Sequence, residues 1–225
     1  MSEQKNDWKD FFTDNKEIID NILQTISQEE KKVTIYPDEK DIFKVFDLCP
    51  LNKIKVVILG QDPYHNGSAN GIAFSIKEGN QINSSLGNLF NELKLCKYKS
   101  NSTGDLSPWV EKGVFLLNTA LTVIEGTPES HLELWKKFTE KIINCLLNKC
   151  DNRIVWLLLG NKSYDYFTSI KGSDDTYYIS YTHPSGLSYS KTGGKLPALK
   201  GSKCFTKINK ILKKNGLGEI DWNLS

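Results

Sequence analysis

Asp62, Tyr64 and His65 bring a carboxylate, a phenol and an imidazole into one short run, Gln61-Asp62-Pro63-Tyr64-His65, directly after Gly60. A carboxylate there can hold an attacking water or steady a growing positive charge, and an imidazole can give or take a proton near neutral pH. Pro63 fixes its own φ and biases Asp62 toward extended backbone. Gly67 and Gly71 let the following loop turn, or let a ligand come close. Two more groups of the same kind stand far along the chain: the amide of Asn118 and the imidazole of His183. The chain has no Gly-x4-Gly-Lys-Ser/Thr loop, which argues against nucleoside triphosphate binding. It has no Gly-x-Ser-x-Gly elbow, which argues against a serine hydrolase.

These groups need elements to hold them. The run Ile54 to Leu59 is apolar almost throughout, as in a strand covered on both faces. Val114 to Leu117, Ile154 to Leu159 and Tyr177 to Tyr181 read as three more strands. Helical spacing of apolar residues runs over 7–28, 42–48, 86–95, 132–149, 161–170 and 204–214, with a helical turn at 109–112. Asp41 and Ser85 are expected as helix caps, and Ala73 to Ile76 as a short extended piece. Strands alternating with helices predict an α/β fold: one domain over 1–225, with a central four-stranded, largely parallel sheet flanked by helices. In such a sheet Gln61 and Asp62, Asn118, Gly160 and Asn161, and His183 all lie at carboxyl ends, along one edge, where ligands bind.

Composition narrows the classes. The chain has 225 residues, 39% hydrophobic and 25% charged, ordinary values for a soluble globular protein. No apolar run is long enough to cross a membrane. The N-terminal residues lack an apolar stretch after a basic start, so no secretory signal is expected, and cytoplasm (or a nucleus in a eukaryotic host) is the expected location. The cysteines at 49, 96, 145, 150 and 204 form no CxxC pair and are expected to be structural thiols without a metal. A net charge of +2 hides an asymmetry. Residues 1–48 hold twelve acids and seven lysines, whereas residues 183–218 hold eight lysines and no acid. A block of one sign is a candidate footprint for a polyanion, although many such runs are merely solvated faces.

GQDPYH at 60–65 followed by GIAFS at 71–75 resembles the water-activating signature of family 1 uracil-DNA glycosylases. GDLSPW (104–109), GVFLLNTALTV (113–123), WLLLGN (156–161), HPSGLS (183–188) and EIDW (219–222) resemble further blocks of that family, in its order. The resemblance implies a DNA repair enzyme that flips uracil out of DNA and hydrolyses its N-glycosidic bond. It implies no metal and no cofactor, and the cysteines offer no set for the iron–sulfur cluster of other uracil glycosylases. Asp62 and His183 are then the catalytic residues, on the water and on uracil O2. Asn118 reads the uracil edge, Phe74 stacks on the base, Tyr64 fills the space of a thymine methyl, and Gln61 contributes backbone contacts. Ser85 and Ser185 grip phosphates, Leu187 wedges into the gap left by the flipped base, and Lys191 stands where the family has an arginine.

Implied partners are uracil-containing DNA, single- or double-stranded, and a DNA-mimic protein inhibitor; a monomer is expected. Besides Lys191, the chain departs from the family pattern in three places. Gly186 replaces a proline, residues 80–84 replace a proline-rich loop and should be less rigid, and the lysine-bearing segment 192–200 looks several residues longer. That longer loop is expected to tighten DNA binding. Two other readings stay open: a DNA-binding or polymerase accessory protein on the same scaffold, and a glycosylase or phosphoesterase of another substrate class.

Overall fold

Alternation of apolar strands with amphipathic helices gives the order α1 (Trp8–Asp14), α2 (Lys16–Glu29), β1 (Ile35–Tyr36), α3 (Lys44–Leu48), β2 (Val56–Gly60), α4 (Ser84–Leu95) and α5 (Ser107–Glu111). It continues with β3 (Val114–Asn118), β4 (Val123–Ile124), α6 (Leu132–Lys149), β5 (Val155–Leu159), α7 (Asn161–Lys171), β6 (Tyr177–Tyr181) and α8 (Cys204–Lys214). The computed structural model describes residues 8–149, 153–171 and 176–224. Residue 7, where the first helix was expected to begin, and Cys150 lie outside the described residues.

Four strands form a parallel sheet in the order β3-β2-β5-β6. Every residue of β2, β3 and β5 is buried, which is why these segments are apolar without alternation. The edge strand β6 differs: Tyr177 and Tyr178 are exposed and only Tyr181 is buried, so its apolar content is lower than its neighbours'. Register sets the edge that matters, because Gly60 pairs with Asn118. The ends of β2 and β3 are therefore level, and Gln61 and Asp62 emerge beside the Asn118 amide.

Several expectations need correcting. The first helix is two helices, broken at Asn15 (φ −111°, ψ 14°), whose side-chain Nδ2 donates to Phe11 O at 2.7 Å. Ala73 to Ile76 is a turn rather than an extended piece: Phe74 has φ +65°, and Ile76 alone makes an isolated bridge, to Ala69. The cap of α4 is Asn83, whose Oδ1 accepts the Leu86 N–H at 3.0 Å; Ser85 already lies inside the helix. Around Asp41 the chain forms a short 3-10 turn, Glu39–Asp41, before α3. A two-residue antiparallel ladder, β1 with β4, has too little sequence to be legible.

The region after His183 is well tied. Gly193 and Leu196 exchange both backbone hydrogen bonds at 3.0 Å around Gly194 and Lys195, and Gly194 supplies φ +58°. Leu196 and Leu199 are buried beneath this hairpin. One face of α4 reaches toward it: Asn88 Nδ2 donates to Pro184 O at 2.8 Å. Seven residues beyond Ser85, the buried Glu92 carboxylate accepts the N–H groups of Gly201 (2.8 Å) and Lys203 and the Ser202 hydroxyl.

Candidate active site

The carboxyl edge of the sheet encloses a cavity of about 240 Å3, lined among others by Gln61, Asp62, Tyr64, Phe74, Asn118 and His183. Three strand ends that are far apart in sequence thus meet in one slot, as the parallel arrangement requires. Ser85 and Pro128 complete its rim.

The floor is fixed by backbone. Thr119 N–H donates to Gly60 O at 3.2 Å, while Ala120 N–H and Thr119 Oγ1–H donate to Gln61 O at 2.9 and 2.7 Å. The Gln61 carbonyl oxygen is therefore used inside the fold, and Gln61 lines the cavity by its remaining atoms. Gly60 is required by its neighbour: a Cβ there would stand 2.3 Å from Asn118 Oδ1. Only glycine lets the nearly buried Asn118 amide lie across the end of β2.

Asp62 leaves the strand partly buried. Its Oδ2 accepts the Glu129 N–H at 2.7 Å. Burial raises its pKa above the ordinary aspartate value, Glu129's charge adds to that rise, and the Glu129 hydrogen bond and the charges of His65 and Lys162 oppose it. Glu129 adopts φ +69°, which aims its N–H at the carboxylate. Its own side chain pairs with Lys162 on α7 and with Gln61, contacts that hold its carboxyl below the usual range. Because Lys162 and Glu129 are both half-exposed, their pairing adds little stability and acts mainly on orientation.

His183 is held differently. Its Nδ1 accepts the Ser185 N–H at 3.1 Å, which assigns the proton of the neutral ring to Nε2. Burial lowers its pKa below the ordinary histidine value, so the neutral ring is favoured. Gly160 (φ +102°) makes room beside it, since a Cβ there would meet His183 Cβ at 3.2 Å. The Phe74 ring lies 6.0 Å from the His183 ring, tilted by 39°. A bulky residue at φ +65° is unusual, and here the conformation turns Phe74 into the cavity. Tyr64 donates its hydroxyl to Phe74 O at 3.2 Å, and burial pushes its pKa up to about 12. The Asn83 side chain opposes that rise.

A second cavity of about 200 Å3 lies on the other side of His183, lined by Gly160, Asn161, Thr182, Leu187, Ser188 and Lys191 among others. Asn161 therefore belongs to this neighbour and not to the Asp62 cavity, whose two amides are those of Gln61 and Asn118. Leu187 is 82% exposed on a turn closed by the Ser188 and Tyr189 N–H groups on Ser185 O. Lys191 is exposed, and Ser185 donates its hydroxyl to Ser188 Oγ at 3.3 Å. Sequence reasoning missed Glu129, Lys162, Asn88 and Glu92, whose roles arise from contacts across the fold. Among the described residues no three of His, Cys, Asp and Glu come together as metal ligands, and no helix there is long and apolar enough to cross a membrane.

Comparison with known proteins follows the same lines. The family model of the uracil DNA glycosylase superfamily matches residues 46–213. The uracil-DNA glycosylase of Fusobacterium nucleatum is 38% identical over 232 residues, covering 100% of this chain and 98% of that protein. That of Halalkalibacterium halodurans is 37% identical over 231 residues, covering 100% and 99%. The crystal structure of mimivirus uracil-DNA glycosylase superposes with a TM-score of 0.88 at 28% identity, covering 98% of this chain and 87% of that one. A mimivirus UNG variant in complex with UGI gives a TM-score of 0.87 at 28% identity, covering 99% and 89%.

Proposed function

This chain belongs to the uracil DNA glycosylase superfamily and is a hydrolytic N-glycosylase of DNA repair acting on uracil-containing DNA; from that premise we propose that Asp62, Asn118 and His183 carry the reaction. The observation behind this assignment is their meeting, with Phe74 and Tyr64, around one cavity at the carboxyl edge of the sheet.

Cleavage of the glycosidic bond builds positive charge on the sugar and negative charge on the departing base. Asp62, ionised at neutral pH, has one oxygen occupied by the Glu129 N–H and keeps the other for the attacking water. Its negative charge also faces the sugar cation. His183 donates from Nε2 to uracil O2 as charge gathers there, and a neutral donor in a largely dry pocket suffices; one such bond is worth about 2.7–4 kcal/mol in comparable oxyanion sites. Asn118 pairs with the O4 and N3 edge of uracil. Cytosine presents the opposite pattern and would leave buried amide groups unpaired. Phe74 stacks on the base. Tyr64, fixed by its bond to Phe74 O, occupies the space that a thymine methyl needs.

The base reaches this cavity only when turned out of the helix, at a cost of a few kcal/mol. The exposure of Leu187 beside the pocket fits a wedge for the vacated space. Ser85, which lines the base cavity, and Ser185 on the wedge turn would bind the flanking phosphates, with Lys191 adding charge. The same face fits a protein that imitates DNA, in line with the mimivirus complex with UGI.

The test is direct. Single- and double-stranded oligonucleotides carrying U, T or C are incubated with the protein in chelator, and abasic sites are scored. Release from U alone is expected. Release of none excludes the assignment in favour of an accessory DNA-binding role, and backbone cleavage without base release favours a phosphoesterase.

A further inference from the structure

The longer segment between the wedge turn and α8 is a folded ridge. Its tip is the hairpin around Gly194 and Lys195. Thr182 clamps its base: Thr182 N–H donates to Pro197 O at 3.0 Å, Leu199 N–H donates to Thr182 Oγ1 at 3.2 Å, and that hydroxyl donates to Ser188 O at 3.0 Å. Lys200 N–H donates to Tyr189 O at 3.0 Å, and Glu92 holds the chain from Gly201 to Lys203. Buried Leu196 and Leu199 anchor it from below.

What the ridge presents is charge. Lys191, Lys195, Lys200 and Lys203 are all exposed, and among the described residues none of them forms an ion pair. An ordinary solvated face in a chain with 27 acidic residues would be expected to mix signs. The position is also informative. His183 lines both cavities, Ser85 lines only the base cavity, and Lys191, Thr192 and Gly193 line only the second. Leu187 belongs to the second as well. The ridge therefore adjoins the second cavity, which shares His183 with the base cavity.

We propose that this ridge is a second phosphate-binding surface shaped for duplex DNA, with Lys195 and Lys200 contacting the backbone beyond the strand that carries the flipped nucleotide. The inference rests on reading the first cavity as the uracil pocket. A lone strand delivering its base past Ser85 is served by one track of contacts. A separate cationic ridge beside the second cavity suits a polyanion wider than one strand. Because hydrogen bonds and buried leucines already order the ridge, binding does not have to order it. The consequence is duplex binding that depends more steeply on salt than it would without the ridge.

The experiment compares the wild type with Lys195→Gln/Lys200→Gln, two exposed side chains whose loss leaves the fold intact by thermal melting. Binding to an abasic duplex and to the same abasic single strand is measured across a salt series. Each phosphate contact contributes about 0.9 to the duplex slope of log K against log salt, so the double variant should lower the duplex slope by about 1–2 and leave the single-strand slope unchanged. An unchanged duplex slope, or an equal fall on both substrates, overturns the proposal. Uracil excision from the single strand by the wild type is read in parallel: its absence counts against the assigned activity, whereas its persistence with an unaltered duplex slope counts against the ridge alone.

Discussion

Asp62 carries two opposed demands, since its proposed role needs the ionised form yet it sits where burial disfavours its charge. Replacement by Asn keeps the acceptor for Glu129 N–H and removes the charge. Asp62→Asn should therefore lower turnover by at least ~10², the lower end of a general base's usual contribution, while binding of uracil DNA persists; single-turnover kinetics beside a binding titration checks both. The sign for stability is opposite. A carboxyl whose folded-state pKa lies above its unfolded value makes the ionised fold less stable, so Asp62→Asn should raise Tm at neutral pH. That gain should shrink as pH falls through the raised pKa and vanish below the unfolded value near 3.8.

The pH profile of turnover follows from the same environments. Its acid limb should lie above 3.8 because of Asp62, and no loss should appear at 6.5, where a free histidine charges, because burial keeps His183 neutral to lower pH. Lys162→Met removes a cation that favours ionised Asp62 and leaves the Glu129 charge uncompensated, so it should move the acid limb to higher pH. Asp62, Asn118 and His183 were legible because residue type and motif name them. Glu129 was not: it acts through its backbone N–H in a φ +69° turn, and no residue type announces that.

Elements bring these residues together through two devices. The first is the level ending of β2 and β3, where Gly60 leaves space for the Asn118 amide. Gly60→Ala would force that amide off its position, and an off-rotamer side chain costs about 0.5–1.5 kcal/mol before any loss of substrate contacts. We expect kcat/KM for uracil excision to fall at least ~10-fold, equivalent to 1.36 kcal/mol, with the far-UV circular dichroism spectrum unchanged. The second device is α4, whose Ser85, Asn88 and Glu92 address the base cavity, the wedge turn and the ridge in turn. Buried strands and long amphipathic helices were readable because their apolar patterns have only one good solution; α6 and α8, and the edge strand β6 as well, begin and end where the sequence places them. The break at Asn15 was hidden because apolar spacing continues through it. The Phe74 turn was hidden because its conformation is imposed by tertiary contacts.

Across the whole molecule, charge and anchoring are distributed unevenly. The lysine block that stood out in the sequence divides into the ridge beside the pocket and the exposed face of α8, which carries Lys207, Lys210, Lys213 and Lys214. Lys207 is partly committed, donating to Tyr181 Oη at 2.9 Å. Composition could show the block but not how it divides. The C-terminal segment is held by Asn209, which bonds Ile220 N–H, Ile220 O and Trp222 Nε1 in the interior. Asn209→Ala strands all three groups, so the loss should reach at least about 2 kcal/mol, or a fall in Tm of about 4–8 °C in calorimetry. Excision by the surviving folded fraction should stay unaltered, because none of these groups lines either cavity.

Since Ser85, Asn88 and Glu92 project from a single rod, a small tilt of α4 would loosen the cavity edge, the Leu187 turn and the cationic hairpin at the same instant. Letting go of repaired DNA would then resemble a hand opening all at once rather than finger by finger, and departure from an abasic duplex would follow one exponential decay.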